Sequence, residues 1–453
     1  MDTPYPFEPL LVFGFLSIML LVGVQARAKI RFFQKYLFPS CIIGGILGLI
    51  LVNVRLVRFP VSQVESFAYH LFNISFISVG LTPGERMKNG GSAGMEYVKG
   101  PVWMALVQGS TFPLQIAAGG ILTLVFGFFG IRLFKTFGFL VALGFTEGPG
   151  QALSIGKMWE GLGFQYGSTI GLTFAALGYF LCFFTGIPLV NWGIRKGYAT
   201  RTPKKLSKDF LTGIISEEQR KESAGELTTH TGNIESAAFH AALVGLVYVI
   251  TYFFVRGLGR FLPEGSAKAL WGFFFFFGLG VALIVRCIMK KTGLVHLINP
   301  GIQKRITGWS IDFMIVATVT AIQIHVVYKF LLPILLIAAT AGILTFLVVL
   351  FFGKRLWSFK LERLAAIYGT VTGTCSTGLL LLRVVDPEFK TPVAIELALM
   401  NVFSIPIIGG CTVLMNAPLW WNWSVGFTVL IYAGISVVCV GLIRFFKLWG
   451  RPI

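Results

Sequence analysis

The sequence predicts an all-α protein that crosses a membrane many times, and three observations carry that reading. The chain is 55% hydrophobic and only 13% charged over 453 residues. Apolar runs of about 18 residues or more, the length that spans a bilayer core, recur from end to end. Its 38 Lys and Arg outnumber its 19 Asp and Glu, for a net charge of +19, yet the basic residues gather in short loops beside the apolar runs. That distribution is the positive-inside pattern of an inner (plasma) membrane protein, not the basic patch of a nucleic-acid binder. No soluble domain fits between the runs. The 6 cysteines, at positions 41, 182, 287, 375, 411 and 439, form no C-x-x-C pair and read as free thiols. Walker A, H-E-x-x-H and G-x-S-x-G patterns are absent, so no enzymatic reaction is expected.

The runs fall at 9–24, 37–54, 64–82, 101–130, 137–156 and 168–194, then at 237–257, 267–289, 307–328, 330–353, 364–385, 393–416 and 424–446. The first follows MDTPYPFEPL, which lacks the basic segment of a signal peptide. It therefore reads as an uncleaved span with an external N-terminus. Arg27, Lys29, Arg31 and Lys35 put the next loop in the cytoplasm. Arg195, Lys196, Arg201, Lys204, Lys205, Lys208, Arg220 and Lys221 put the polar stretch 195–236 on the same side, as a linker. Five runs separate these two loops and an even number of crossings is required, so one run enters and leaves on one face.

The run 137–156 is the best candidate. Its middle reads Thr146-Glu147-Gly148-Pro149-Gly150-Gln151, where proline removes a donor and glycine weakens the helix. Broken backbone at membrane depth survives only where protein or a water-filled cavity satisfies it. A carboxylate there marks a functional site. The alternative run, 64–82, would leave Arg86 and Lys88 external.

The second half makes the same demand. Lys354, Arg355, Lys360 and Arg363 mark a cytoplasmic loop, and Arg444, Lys447 and Arg451 a cytoplasmic C-terminus. Three runs lie between, so 364–385 is the second re-entrant segment. Its centre, Gly369-Thr370-Val371-Thr372-Gly373-Thr374-Cys375-Ser376-Thr377-Gly378, is dense in Gly, Ser and Thr. The expected organisation is two inverted five-span repeats, each with a re-entrant hairpin, plus one extra C-terminal span. The first repeat is 1–194 with its hairpin at about 137–160, and the linker is 195–236. The second repeat is 237–416 with its hairpin at about 364–385, and the extra span and tail are 417–453. Hairpin one then enters from outside and hairpin two from the cytoplasm, so their tips can meet near the midplane, as in inverted-repeat secondary transporters. Lys157-x-x-Glu160 leaves the first hairpin and Arg383-x-x-Asp386 the second; placing Lys157 on Arg383 puts Thr146 on Thr372. Ile187-Pro188 and Ile405-Pro406 hold similar places in the spans that follow.

Over roughly residues 30–416 the chain resembles the bacterial sodium/glutamate symporter family. The resemblance rests on Tyr36-Leu37-Phe38-Pro39 with Gly44-Gly45, on Ser78-Val79-Gly80-Leu81, and on Glu147-Gly148-Pro149-Gly150 with Lys157. It rests also on Leu364-Ala365-Ala366 leading into Gly369, Gly373 and Thr377. It implies two inverted five-span units, sodium-coupled import of glutamate, and an elevator movement of a transport domain against a scaffold that makes a homodimer. Glu147 and Pro149 in one hairpin, and the threonine-rich TVTGTCST in the other, depart from the family's denser glycine pattern. The resemblance therefore supports fold and coupling ion better than glutamate itself.

Hard oxygen ligands for sodium are expected at Thr146, Glu147, Thr370, Thr372, Ser376 and Thr377, with Asn73 and Asp312 from other runs. Half-helix N-termini after the breaks, at Gly148, Gly150, Gln151, Thr374 and Cys375, present N–H groups to a substrate carboxylate. Arg383 and Asn401 complete that set. Each has a plainer reading. Small residues pack membrane helices. Glu147 is otherwise a proton-binding group or an ordinary loop acid. Arg383 and Lys157 otherwise pair with Asp386 and Glu160, and Asp312 otherwise reaches the interface. Ser75, Ser78, Thr318, Thr320 and Gln323 either line the site or hydrogen-bond between helices, and Glu396 follows the second hairpin less deeply than Asn401. The expected function is sodium symport of glutamate or a similar small carboxylate. The alternatives are sodium/proton antiport or another organic anion, and a non-transporting binding or sensor protein.

Overall fold

A computed structural model describes residues 5–83, 94–200, 206–217, 223–262, 267–268, 270–387 and 389–450. Arg86, Lys88, Arg201, Lys204, Lys205, Arg220, Lys221 and Arg451 lie outside them. Every described run is helical. In chain order the principal helices are α1 (Glu8–Lys29), α2 (Ser40–Asn53), α3 (Val61–Leu81), α4 (Gly94–Phe128), α5 (Pro149–Glu160) and α6 (Gly167–Arg195). They continue as α7 (Ser236–Gly259), α8 (Phe274–Lys291), α9 (Pro300–Thr320), α10 (Leu331–Gly353), α11 (Lys360–Val371), α12 (Cys375–Val385), α13 (Val393–Leu414) and α14 (Val425–Phe445). Among the described residues, 8 helices are long and apolar enough to cross a membrane, so the chain is a multi-pass membrane protein.

Two helices start earlier than hydropathy alone places them. Asn299 caps α9 by accepting from Ile302 N at 3.1 Å, with Pro300 in the first turn, so polar Gln303 to Arg305 become helical. The same helix stops at Thr320, and only a short helix, Ile324–Lys329, completes the apolar run. The other, α4, begins at Gly94 and carries Pro101 and Pro113 inside it.

The chain forms two compact units, and each draws on both halves of the sequence. One comprises residues 1–88, 153–165 and 209–323. Here α3 packs on α8 and α9, α1 on α2, and α7 on α8. Ile77, Leu81, Leu243, Val247, Ala282 and Ile298 form a buried cluster among these helices. In lipid such packing rests on close dispersion contact and buried hydrogen bonds rather than on a hydrophobic drive. Ser78 supplies one of those bonds, donating to Gln303 Oε1 at 2.7 Å. Arg27, at the end of α1, turns inward and donates to the carbonyls of Phe210 at 3.0 Å and Leu211 at 3.3 Å. This pins part of the linker to the unit.

The other unit comprises residues 89–152, 166–208 and 324–453. Its centre is α4, which packs against α10, α11, α13 and α14. Of the window that best fits a membrane span, 61% is buried in α4 and 67% in α6, against 28–39% in the other spans, so these two are the interior helices. Arg363 is not a loop cation. It lies in the first turn of α11 and forms a bidentate pair with Glu396 of α13, at 2.6 and 2.8 Å, with both side chains almost wholly buried.

Candidate functional site

Both runs that the sequence marks as broken are interrupted, and each by its own local chemistry. The first winds into a π-helical turn over Leu143–Glu147. Gly148 closes that turn, its N–H donating to Leu143 O at 2.8 Å. Gly148 then adopts φ 84° and ψ −176°, a region essentially confined to glycine. Pro149 begins α5, where its missing N–H is harmless. The second run ends α11 at Val371 and restarts α12 at Cys375. Thr374 is the N-cap in a capping box: its N–H donates to Thr377 Oγ1 at 2.8 Å, and its side chain takes the reciprocal bond. The helices either side turn back on each other. A Cβ on Gly369 would stand 2.7 Å from Gly378 Cα, so only glycines permit this approach.

The two breaks meet. A Cβ on Gly148 would lie 2.6 Å from Thr374 Cγ2 and 3.7 Å from Gly373 O. One on Gly178 of α6 would lie 2.9 Å from Thr372 O and 3.0 Å from the Phe145 ring. Glu147 Oε2 accepts from Gln151 Nε2 at 2.6 Å. Cys375 Sγ lies 3.6 Å from the Asn401 amide. Thr146, Glu147, Gly148, Gln151, Thr372, Thr374, Cys375 and Asn401 are thus brought together, and buried Gly150 follows in the first turn of α5.

The threonine hydroxyls at the second break point inward along the backbone. Thr370 donates to Ala366 O at 2.9 Å, Thr372 to Tyr368 O at 2.6 Å, and Thr377 to Gly369 O at 2.7 Å. Each hydrogen is engaged while the oxygen keeps acceptor capacity. Ser376 is exposed at the start of α12. This set of hydroxyls and carbonyls is hard and oxygen-only, which suits an alkali cation. Among the described residues no group of three or more His, Cys, Asp or Glu is placed to hold a metal ion.

Other expected residues have surroundings of their own. Arg383 is eight residues beyond Cys375, about 12 Å along an α-helix, and its guanidinium lies 4.9 Å from the Phe389 ring. Asp386 accepts from the N–H groups of Lys390 at 3.0 Å and Thr391 at 2.7 Å. Lys157 bridges Glu65 at 2.7 Å and Glu160 at 2.9 Å. Asn73 and Asp312 belong to the other compact unit. There Asn73 lies close to the hydroxyls of Tyr69 and Tyr248 without a well-formed bond at either amide atom, and Asp312 lies beside Cys41.

Sequence reasoning missed Gln115, which donates to Thr345 Oγ1 at 2.9 Å and Val371 O at 3.1 Å and accepts from Thr146 Oγ1 at 2.9 Å. A buried amide in the middle of a long apolar helix was the available signal. No family model, no curated protein and no solved structure matches the chain.

Proposed function

We propose that the chain is a sodium-coupled secondary transporter that imports a small carboxylate such as glutamate. Its architecture is two inverted five-span repeats with re-entrant hairpins, working by an elevator-type movement in the inner membrane, as a homodimer with a cytoplasmic C-terminus. The observation that carries this reading is the contact between Gly148 and Thr374. The register that places Lys157 on Arg383 also places Gly148 on Thr374, and these matched residues touch. Residues related by a two-fold axis meet each other only at that axis, so the contact is what an inverted repeat would produce there.

The chemistry follows from the breaks. The N-terminal N–H groups of α5 and α12 and the positive ends of their dipoles favour a carboxylate. The carbonyls and hydroxyls at the ends of the interrupted helices, with Thr146, supply oxygens for sodium. Asn401 and Gln151 offer amides for the rest of the substrate. No bond in the substrate is made or broken, and no enzymatic role is assigned.

Purified protein in proteoliposomes, tested with a panel of labelled amino acids and dicarboxylates, should accumulate at least one of them when sodium is higher outside. Accumulation of none, with or without a sodium gradient, would sink the transport reading; retained ligand binding in that case would favour the binding or sensor alternative. A second reading, sodium/proton antiport, is favoured by Glu147, a carboxylate within the first break that bonds to an amide. Proton release on sodium addition, with no organic substrate accumulated, would establish it.

A further inference from the structure

The polar groups of the two breaks converge on one side chain that lies in neither. Gln115 is buried in α4 and joins four elements. Two come from the first half of the sequence, α4 itself and the π-helical turn with Thr146. Two come from the second, α10 with Thr345 and the end of α11 with Val371. The orientation of its amide is dictated by its partners. Val371 O can only accept, and the Thr345 hydroxyl has already given its hydrogen to Ala341 O at 2.7 Å. Both therefore need the NH₂ group, which leaves Oε1 to accept from Thr146. Val371 O belongs to the last turn of α11, where no further helical turn supplies a donor. One amide thus satisfies an open helix end and fixes the opposite break in a single arrangement.

We infer that Gln115 is a positioning residue that locks the two breaks into one body, so that loosening either loosens both. Its bearing on sodium rests on the transport reading above; the joint itself does not. Gln115→Leu keeps similar bulk and removes all three bonds. Gln108→Leu, two turns earlier on the same helix, is the matched control. In lipid nanodiscs, amide hydrogen exchange is followed in peptides covering 143–151 and 369–378. Exchange should rise in both peptides with Gln115→Leu and in neither with Gln108→Leu. A rise in one peptide alone, in neither, or equally with both variants overturns the joint. If Gln115→Leu does not fold, Thr345→Val removes the bond from the Gln115 amide to α10 without touching either break, and should raise exchange in both peptides; a rise in one alone or in neither overturns the proposal. In proteoliposomes, Gln115→Leu should raise the sodium concentration for half-maximal uptake about tenfold or more, the size a lost buried hydrogen bond produces. Uptake by the parent that does not depend on sodium would fell the sodium-coupled reading while leaving the exchange result to judge the joint.

Discussion

Replacing Glu396 with alanine removes half of an ion pair that is almost wholly buried, with 3% and 4% of the two side chains exposed. Arg363 would keep its bonds to Ser358 O and Oγ, both at 3.0 Å, and its stacking on Trp357 at 4.7 Å. It would lose both carboxylate oxygens, at 2.6 and 2.8 Å, and nothing else among its described contacts carries negative charge. Stranding a buried charge costs about 3–5 kcal/mol. At ~2–4 °C per kcal/mol for bodies of this size, the melting temperature should fall by about 6–20 °C. The double variant Arg363→Met/Glu396→Leu removes both charges and should recover most of that loss. Size-exclusion profiles of detergent-purified protein after a heating series supply the measurement. A fall below about 2 °C for Glu396→Ala, or a double variant no better than the single, would refute the reasoning.

Gly148→Ala forces a Cβ both into glycine-only backbone and against Thr374 Cγ2. It should abolish uptake, and adding Thr374→Ser should restore only part, since the backbone strain of ~1–3 kcal/mol remains; full restoration would mean the clash alone matters. Lys157→Met should lower the melting temperature more than Glu160→Gln, because it breaks two ion pairs, one of them to Glu65, 7% exposed, whereas Glu160→Gln breaks one, at a carboxylate 22% exposed; equal effects would contradict that ranking. Arg27→Ala should speed proteolytic cleavage near Phe210 and Leu211, whose carbonyls Arg27 holds. Unchanged cleavage would show the linker segment to be anchored by other contacts. Thr372→Val with Ser376→Ala should raise the half-maximal sodium concentration at least severalfold, and an unaltered value would remove the second break from the ion site.

The helices were legible from hydropathy, and both interruptions from the parity of basic loops with Gly and Pro in the first run and Gly, Ser and Thr in the second. Proline and glycine act locally, so Gly148-Pro149 announces its break wherever the chain goes. The capping box at Thr374 and Thr377 is likewise a short-range signal. What stayed hidden depends on which helix faces which. The spacing of Lys157 and Glu160 was visible as i,i+3, whereas Glu65 is 92 residues away and no periodicity points to it. Arg363 looked like one more loop cation because basic residues beside apolar runs usually are. Gln115 was passed over because its three partners lie on three other segments of the chain, two of them in the opposite half. The start of α9 was obscured because its first turn is polar and its cap is a single asparagine.

The division of the chain also bears on how the protein is made. Residues 1–88, 153–165 and 209–323 form one unit, and 89–152, 166–208 and 324–453 form the other. Neither is a continuous stretch of message. When the ribosome has translated the first 208 codons, the membrane holds part of each unit and the whole of neither. The early helices must wait, inserted but without their final neighbours, for partners synthesised later. A gene split at codon 208 should yield two products that are each degraded alone and stable only when expressed in the same cell.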